Sequence, residues 1–293
     1  MREQKEHIEQ INYNNKRGEV QFDLLSMSDL FARKDLTTSI HNAQQINFYM
    51  LLVITKGIGT HTIDFTDYSY QKGTILSIRK DQIHRFHPSD ADGYLLLFTD
   101  DFLLSYFEKT EVARGLKLFN DFITSPMTQL TNSEYEDILK YINDIEHEYK
   151  LVNDTYSLDI ISSLLAILFR KLFRVKSQNN QLFTTKKYLN EFLQFQELVE
   201  KRCLNSKKVL TYADEMAIST KTLNNITQQI IHKSAKQFID ETVIIQIKRL
   251  LVNTSYSIKE IAFRVGFDEA TNLFKFFKRH TSVTPDQFRR ANQ

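Results

Sequence analysis

The sequence lacks the cysteines that several classes of protein need. Cys203 is the single cysteine among 293 residues, so the chain can form neither an internal disulfide framework nor a zinc site built from a cysteine cluster. It also lacks an N-terminal apolar signal core, and its apolar runs, such as residues 160–169, are too short or too interrupted to span a bilayer. We therefore expect a cytoplasmic protein with no membrane partner.

Charge is divided unevenly along the chain. Residues 184–293 contain 18 Lys and Arg against 11 Asp and Glu, a balance of +7, and the rest contains 20 against 25, a balance of −5. With 42% hydrophobic residues, the chain can bury two cores of ordinary size. A basic C-terminal domain beside an acidic remainder favours a phosphate-binding surface at the C-terminal end. The alternative is an ordinary solvated surface.

One short pattern occurs twice in the basic part. Residues 213–219 read Ala-x-x-Met-Ala-Ile-Ser, and residues 262–268, which lie 49 positions later, read Ala-x-x-Val-Gly-Phe-Asp. A helix-turn-helix needs a small residue where its helices cross, a turn residue tolerant of positive φ, and an N-cap for its second helix. The copies supply these residues in the same order: Ala213, Ala217 and Ser219, then Ala262, Gly266 and Asp268. We predict two helix-turn-helix motifs, at about residues 210–230 and 257–280.

Two capping boxes predict further helix starts. Ser257 with Glu260 opens the first helix of the second motif, and Ser234 with Gln237 opens the helix that joins the motifs. A single heptapeptide of the repeated type also occurs in helices that merely pack. Its duplication favours a protein that reads DNA.

The second copy lies within a longer signature. Residues 261–269 (Ile-Ala-Phe-Arg-Val-Gly-Phe-Asp-Glu), 277–279 (Phe-Lys-Arg) and 283–289 (Val-Thr-Pro-Asp-Gln-Phe-Arg) contribute to it, with Leu273 and Lys275. In this pattern the sequence resembles the AraC/XylS family of bacterial transcription regulators over about residues 185–293. It departs at Ser282, where the family usually has glycine. The resemblance implies a transcription regulator, by family habit an activator, with double-stranded DNA and RNA polymerase as partners.

The family motif also implies which residues contact DNA. The expected base readers are Lys221, Thr222, Asn224 and Asn225 in the first copy, and Ala270, Thr271 and Lys275 in the second. Their chemistry fits, because Asn can pair with adenine, Lys with guanine, and Thr or Ala with the thymine methyl group. The expected phosphate contacts are Lys278, Arg279 and Arg289. Residues 220–226 and 269–275 would then enter successive major grooves.

The N-terminal half alternates with a period of two. Short strands are predicted at residues 48–55, 61–65, 73–78 and 93–98. Regular short strands favour a sandwich or barrel. Residues 56–64 and 82–86 resemble two hairpin regions of the cupin-like β-barrel that binds an effector in this family. Because small barrels can hold one ligand inside, the resemblance implies a small-molecule effector.

Polar side chains on these strands are candidates for an effector pocket, since a few polar groups on an apolar wall orient a small ligand. They are Tyr49, His61, Tyr70, His84 and Arg85. Each could equally be a core or surface residue. Metal-binding cupins carry His-x-His followed closely by Glu, whereas His61 is followed by Thr62 and Ile63. We therefore expect no metal, no other cofactor and no catalytic residue.

Two helical segments, residues 133–150 and 156–175, separate the barrel from the motifs. The second has apolar residues at helical spacing along a broad face. That face could pack on the barrel or form the seam of a homodimer, and the pattern leaves both open. Residues 177–183 are polar and are predicted to form a linker.

The sequence thus predicts an α+β protein. Residues 1–176 form a cupin-like regulatory domain with helices at 133–175, and residues 184–293 form an all-α DNA-binding domain. The predicted function is sequence-specific regulation of transcription, and the chain is not expected to be an enzyme. One alternative is a cupin-type enzyme or binding protein with an appended helical domain, and another is a regulator that needs no small molecule.

Overall fold

The computed structural model describes residues 9–11, 21–33, 40–107, 117–119, 125–151, 154–179 and 188–292. These residues form two compact units, one within Glu9–Gln181 and the other within Leu182–Gln293. Of the predicted linker, residues 177–179 are helical, and residues 180–183 lie outside the described residues. In the described parts of the chain, no helix is both long enough and apolar enough to cross a membrane.

The N-terminal unit contains two β-sheets. Its strands are β1 (Glu9–Ile11), β2 (Phe22–Ser26), β3 (Gln44–Ile46), β4 (Tyr49–Lys56), β5 (Ile58–Ile63), β6 (Thr66–Gln71), β7 (Thr74–Ile78), β8 (Ile83–Phe86), β9 (Asp92–Phe98) and β10 (Met127–Gln129). Across the residues described, the strand orders are β1-β3-β8-β5-β6 and β10-β7-β4-β9-β2. The pairing is antiparallel apart from that of β1 with β3.

Strand β4 shows how the two layers are organised. Met50, Leu52 and Ile54 point into a core between the sheets, which also contains Ile63 and Phe86 of the opposite sheet. The alternate residues of β4, Tyr49, Leu51 and Val53, belong to a second core on the outer face. The sheets therefore face each other around an interior, and one of them is buried on both sides.

Helices cover that outer face. They are α2 (Asp100–Tyr106), α3 (Asn132–Leu151) and α4 (Ser157–Asn179). Helix α1 (Met27–Ala32) instead packs against the core between the sheets through Met27. The buried apolar side chains of α4 in the outer core are Ile161, Leu165, Leu168, Phe169, Leu172 and Val175. Packing within the unit thus accounts for the broad apolar face that could also have been a dimer seam. Ile160 and Ile167 on the same helix remain 42% and 39% exposed.

The C-terminal unit is helical. Its helices are α5 (Leu189–Arg202), α6 (Val209–Glu215), α7 (Thr220–Ile231), α8 (Ala235–Asn253), α9 (Ile258–Arg264), α10 (Ala270–Thr281) and α11 (Pro285–Ala291). Helices α6 and α7 form the first predicted motif, α9 and α10 form the second, and α8 connects them. A β-rich domain followed by a helical domain confirms the predicted α+β class.

Both predicted capping boxes are present, at the starts of α8 and α9. Thr284 with Gln287 forms a third, which the sequence analysis missed, at the start of α11. Ser219 is the N-cap of α7 as predicted, and its hydroxyl accepts from the Thr222 amide. The prediction for Asp268 is wrong: the N-cap of α10 is Glu269, without a side-chain hydrogen bond.

The turns of the two motifs use the predicted left-handed residues. Ala217 has φ of 52° and Gly266 has φ of 72°. Ser282, where relatives in the family usually carry glycine, also has positive φ, of 65°. Glycine adopts this conformation most readily, which explains why glycine is usual at this position of the family pattern. In this chain Ser282 adopts the same left-handed backbone with some strain.

Candidate functional site

The first recognition helix, α7, exposes one face and buries the other. Leu223, Ile226 and Ile230 are buried in the unit. Lys221, Thr222 and Asn225 are exposed. These three predicted base readers therefore lie where a groove could receive them. Gln228 shares the exposed face with Lys221 and Asn225, and its spacing from them could have indicated this.

Asn224 is placed differently. Its Nδ2 donates to the Thr220 carbonyl at 2.9 Å, and its Oδ1 accepts from the Ala235 amide at 3.0 Å. Ala235 is the first residue of α8, so Asn224 ties α7 to the start of the connecting helix. A bidentate contact with adenine needs both groups of the amide, and the predicted role of Asn224 in base reading is not supported by its position.

The second recognition helix, α10, has the same arrangement. Leu273, Phe276 and Phe277 are buried, whereas Thr271 and Lys275 are exposed and Ala270 is half-buried. Counted from the N-caps Ser219 and Glu269, α10 follows α7 by 50 positions, although the turns repeat after 49. The second turn is thus one residue longer. This shift explains why capping falls on Glu269, and it pairs Lys221 with Thr271 and Asn225 with Lys275.

The three predicted phosphate contacts divide into two groups. Lys278 and Arg279 are exposed at the C-terminal end of α10. Arg289, by contrast, is half-buried, and its Nε donates to the Leu251 carbonyl at 2.9 Å while its Nη2 donates to the Tyr256 carbonyl at 2.6 Å. Arg289 thus fastens α11 to the end of α8. This bonding does not support its predicted role at a phosphate.

Two histidines lie in the interior of the N-terminal unit. The rings of His61 and His84 stack with centroids 5.3 Å apart, and the edge of Phe86 packs against both. His61 is fully buried and His84 is 2% exposed. None of their four ring nitrogens has a hydrogen-bond partner among the described residues. A buried polar group without a partner costs about 1–3 kcal/mol, so this pair is an expensive feature of the fold.

Burial also sets the protonation of the pair. It lowers the pKa of His84 from 6.5 to about 4. Burial, and secondly the neighbouring His84, lower the pKa of His61 well below 6.5. Both rings are therefore neutral at pH 7, and each has one N–H donor and one nitrogen acceptor. Together they can bind a polar group that enters the interior.

The other effector candidates lie in different places. Tyr70 belongs to the inner core, and its hydroxyl lies 3.1 Å from Ser89 Oγ. Tyr49 faces the outer core, where its hydroxyl donates to Asp100 Oδ1 at 3.1 Å. Arg85 is exposed beside His84, because successive residues of a strand point to opposite sides. Tyr49 and Arg85 therefore do not share the interior with His61 and His84, and the structure does not bring the five effector candidates together.

Potential metal ligands do not gather in the part of the chain that the structure describes. No group of three or more His, Cys, Asp and Glu side chains is close enough to hold an ion there. His87, the third histidine of this region, is bonded through Nε2 to Thr62 Oγ1 at 2.7 Å. It therefore does not extend the His61–His84 pair into a ligand set.

Two protein families match the chain. Residues 31–184 match the AraC-like ligand binding domain, and residues 212–291 match a helix-turn-helix domain. The transcriptional activator RhaS of Shigella dysenteriae serotype 1 is 20% identical over 257 residues, which cover 84% of this chain and 86% of RhaS. Among solved structures, ToxT from Vibrio cholerae is 15% identical with a TM-score of 0.44, and the alignment covers 92% of this chain and 98% of ToxT.

These matches follow the order of the two structural units. The ligand-binding match spans more than half of the chain, and the helix-turn-helix match contains both turns and both recognition helices. They favour the regulator over the alternative of a cupin-type enzyme with an appended helical domain. The chain belongs to the AraC/XylS family of DNA-binding transcription regulators.

Proposed function

We propose that the chain activates transcription by placing α7 and α10 in successive major grooves of double-stranded DNA. The observation that carries the proposal is the matched register of the two exposed faces, Lys221 and Asn225 on α7 and Thr271 and Lys275 on α10. Recognition helices of this kind meet the same face of DNA about 34 Å apart. Activation is supported by the similarity to RhaS, an activator, and implies RNA polymerase as a partner.

The exposed side chains divide the work of recognition. Asn225 suits adenine, Lys221 and Lys275 suit guanine, and the Thr271 methyl group suits thymine. Thr271 also donates its hydroxyl to Glu269 Oε2 at 2.9 Å, which fixes its rotamer. Lys278 and Arg279 contact phosphates. The net positive charge of residues 184–293, the DNA-binding domain, adds to the attraction for DNA.

Asn225→Ala and Lys278→Ala are expected to weaken DNA binding in different ways. Asn225→Ala should lose about 1–3 kcal/mol on the cognate duplex and little on a scrambled one, because it removes a base contact. Lys278→Ala should weaken binding to both duplexes and reduce the slope of log affinity against log salt by about one unit. Titrations of both variants on both duplexes at several salt concentrations measure this. Identical profiles for the two variants would contradict the assignment.

We also propose that a small molecule with hydrogen-bonding oxygens controls the regulator from within the N-terminal unit, between His61, Tyr70 and His84. Support comes from the four ring nitrogens of the histidines, for which the described part of the chain offers no hydrogen-bond partner and which a polar ligand would satisfy. The remaining alternative is a regulator that needs no small molecule, in which the pair would only be a cost to stability.

His84→Leu is expected to stabilise the N-terminal unit while abolishing the response to effector. Removing the unpartnered imidazole should gain roughly 1–3 kcal/mol. The folded pKa of His84, about 4, lies below the unfolded 6.5, so this group should cost the wild type stability as pH falls from 6.5 to 4, at up to about 1.4 kcal/mol per pH unit. The lowered pKa of His61 acts in the same direction. The variant should have a shallower pH dependence.

Thermal unfolding between pH 4 and 8, with and without a panel of small oxygen-bearing metabolites, measures both effects. A metabolite that raises the unfolding temperature of the wild type should not raise that of His84→Leu. Arg85→Leu, at the exposed neighbouring position, is the control and should keep the response. A metabolite that stabilises wild type and His84→Leu equally would place the effector elsewhere.

Further features of the function rest on the family and the sequence. We propose a cytoplasmic homodimer without catalytic activity, controlled through residues 1–176. Its seam would be the exposed stripe of Tyr156, Ile160 and Ile167, which are 69%, 42% and 39% exposed. Apolar stripes of this kind suit a symmetric contact between two copies.

A further inference from the structure

The loop between α5 and α6, residues 203–208, contacts the turn of the second helix-turn-helix motif. Lys207 Nζ donates to the Val265 carbonyl at 2.5 Å and to the Gly266 carbonyl at 3.2 Å. The same ammonium lies 4.3 Å from the centroid of the Phe267 ring. One lysine of the loop that precedes the first motif therefore holds three consecutive residues of the second.

The backbones also meet at this point. A Cβ atom added to Gly266 would lie 2.3 Å from the Leu204 carbonyl oxygen, which is closer than any side chain allows. The turn of the second motif thus packs directly on the backbone of the loop. This close approach places the carbonyl groups of Val265 and Gly266 within reach of Lys207.

The Lys207 ammonium is partly removed from water. Burial is the main cause that lowers its pKa, and the charge of Lys236 lowers it further. Lys236 in turn donates through Nζ to the Lys207 carbonyl at 3.3 Å and to Asp240 Oδ1 at 2.6 Å. Hydrogen bonds of a partly desolvated ammonium are stronger than those of an exposed one, so the loop is held at both its backbone and its side chain.

The other connection between the motifs is helix α8. The backbone amide of its first residue, Ala235, donates to Asn224 Oδ1 of α7, and near its end the Leu251 carbonyl accepts from Arg289 of α11. If a single helix joined the two motifs, they could most easily move relative to each other by rotation about the helix axis or by bending of the helix. A second attachment away from that axis restricts both.

We propose that Lys207 fixes the separation and rotation of the two recognition helices and so determines which half-site spacing the regulator accepts. Lys207 acts as a positioning residue through the turn at residues 265–267. The proposal rests on DNA reading by both helices. One base pair added between half-sites rotates the second by roughly 34° and moves it by about 3.4 Å, so a rigid pair of motifs should reject it.

The test compares wild type, Lys207→Met and Lys208→Met as full-length proteins. Selection from random duplexes first gives the two-part site of the wild type, and duplexes with one base pair added or removed between the half-sites are then titrated. The wild type should lose about tenfold or more in affinity for the altered spacings, equivalent to one mismatched contact. Lys207→Met should lose less than about threefold. Lys208→Met removes an equal charge from an exposed neighbour and should behave as the wild type does.

Phe267→Leu is a second variant, because it removes the ring below the ammonium without changing charge, and it should relax spacing discrimination in the same direction. A merely structural role would lower affinity for every spacing equally, and an unchanged ratio for Lys207→Met would overturn the proposal, as would a wild type that tolerates every spacing. A wild type that selects no two-part site would instead contradict DNA reading by both helices, and the inference would fall with it.

Discussion

Leu168→Asp is expected to unfold the N-terminal unit, whereas Ile167→Asp is expected to leave it folded. Leu168 is 0% exposed and Ile167 is 39% exposed on the same helix. Loss of a buried leucine side chain costs about 2–5 kcal/mol, and a buried carboxylate without a partner adds roughly 1–3 kcal/mol or more. Together these approach the total stability of a domain, about 5–15 kcal/mol.

Hydrogen exchange measured on peptides of α3 and α4 separates the two outcomes. In Leu168→Asp these peptides should exchange as an unfolded chain does, while peptides of α8 to α10 keep their protection. Native exchange throughout Leu168→Asp would contradict the burial of this face.

Ile167→Asp also tests the proposed homodimer. Its charge would lie in the exposed stripe of α4, so sedimentation should show a folded monomer where the wild type is a dimer. A dimeric Ile167→Asp would move the seam to another surface, and a monomeric wild type would refute the homodimer altogether.

Strand positions were predictable from the sequence where turn residues mark the ends. The predicted strand at 73–78 corresponds to β7, and that at 93–98 corresponds to β9. The strand predicted at 61–65 ends at Ile63, because Asp64 and Phe65 turn the chain with positive φ values of 44° and 67°. Asp64 is a residue that tolerates this conformation, but Phe65 is not, so the pair is a weaker turn signal than one that contains glycine.

The direction of side chains on β4 was not predictable. Residues 49–54 form a continuous apolar run, since both faces of this strand are buried, and such a run has no alternation to separate inside from outside. The sequence therefore could not show that Tyr49 faces the outer core rather than the space between the sheets. Alternation along β8 could have excluded Arg85, because His84 and Arg85 must point to opposite sides.

The exposure of most candidate DNA contacts was predictable from helical spacing, but the positions of Asn224 and Arg289 depend on tertiary contacts. Helical spacing predicts that Lys221 and Asn225 share a face. It cannot show that Asn224 reaches the first amide of α8, or that Arg289 reaches the carbonyls of Leu251 and Tyr256. Those contacts depend on how α8 and α11 pack, which the local sequence does not specify.

Gly266→Ala is expected to destabilise the C-terminal unit strongly, whereas Ala217→Gly, at the equivalent turn position of the first motif, is expected to have little effect. At φ of 72°, an alanine costs about 1–2 kcal/mol. Its Cβ would also lie 2.3 Å from the Leu204 carbonyl oxygen, and forcing the loop away should cost roughly a further 1–3 kcal/mol. At Ala217 the strain relieved by glycine is offset by the greater freedom of the unfolded chain, so the net change should stay within about 1 kcal/mol.

Denaturant unfolding measures the change in free energy of unfolding for each variant. Hydrogen exchange in peptides of α9 and α10 shows whether the second motif is the part that loses stability. Because the displaced carbonyl belongs to the loop that carries Lys207, Gly266→Ala should also weaken DNA binding more than Ala217→Gly does. If Gly266→Ala cost no more than about 1–2 kcal/mol, left-handed geometry alone would explain position 266. The close packing of the turn on the loop would then contribute nothing, and unequal losses of DNA binding would have to come from another contact.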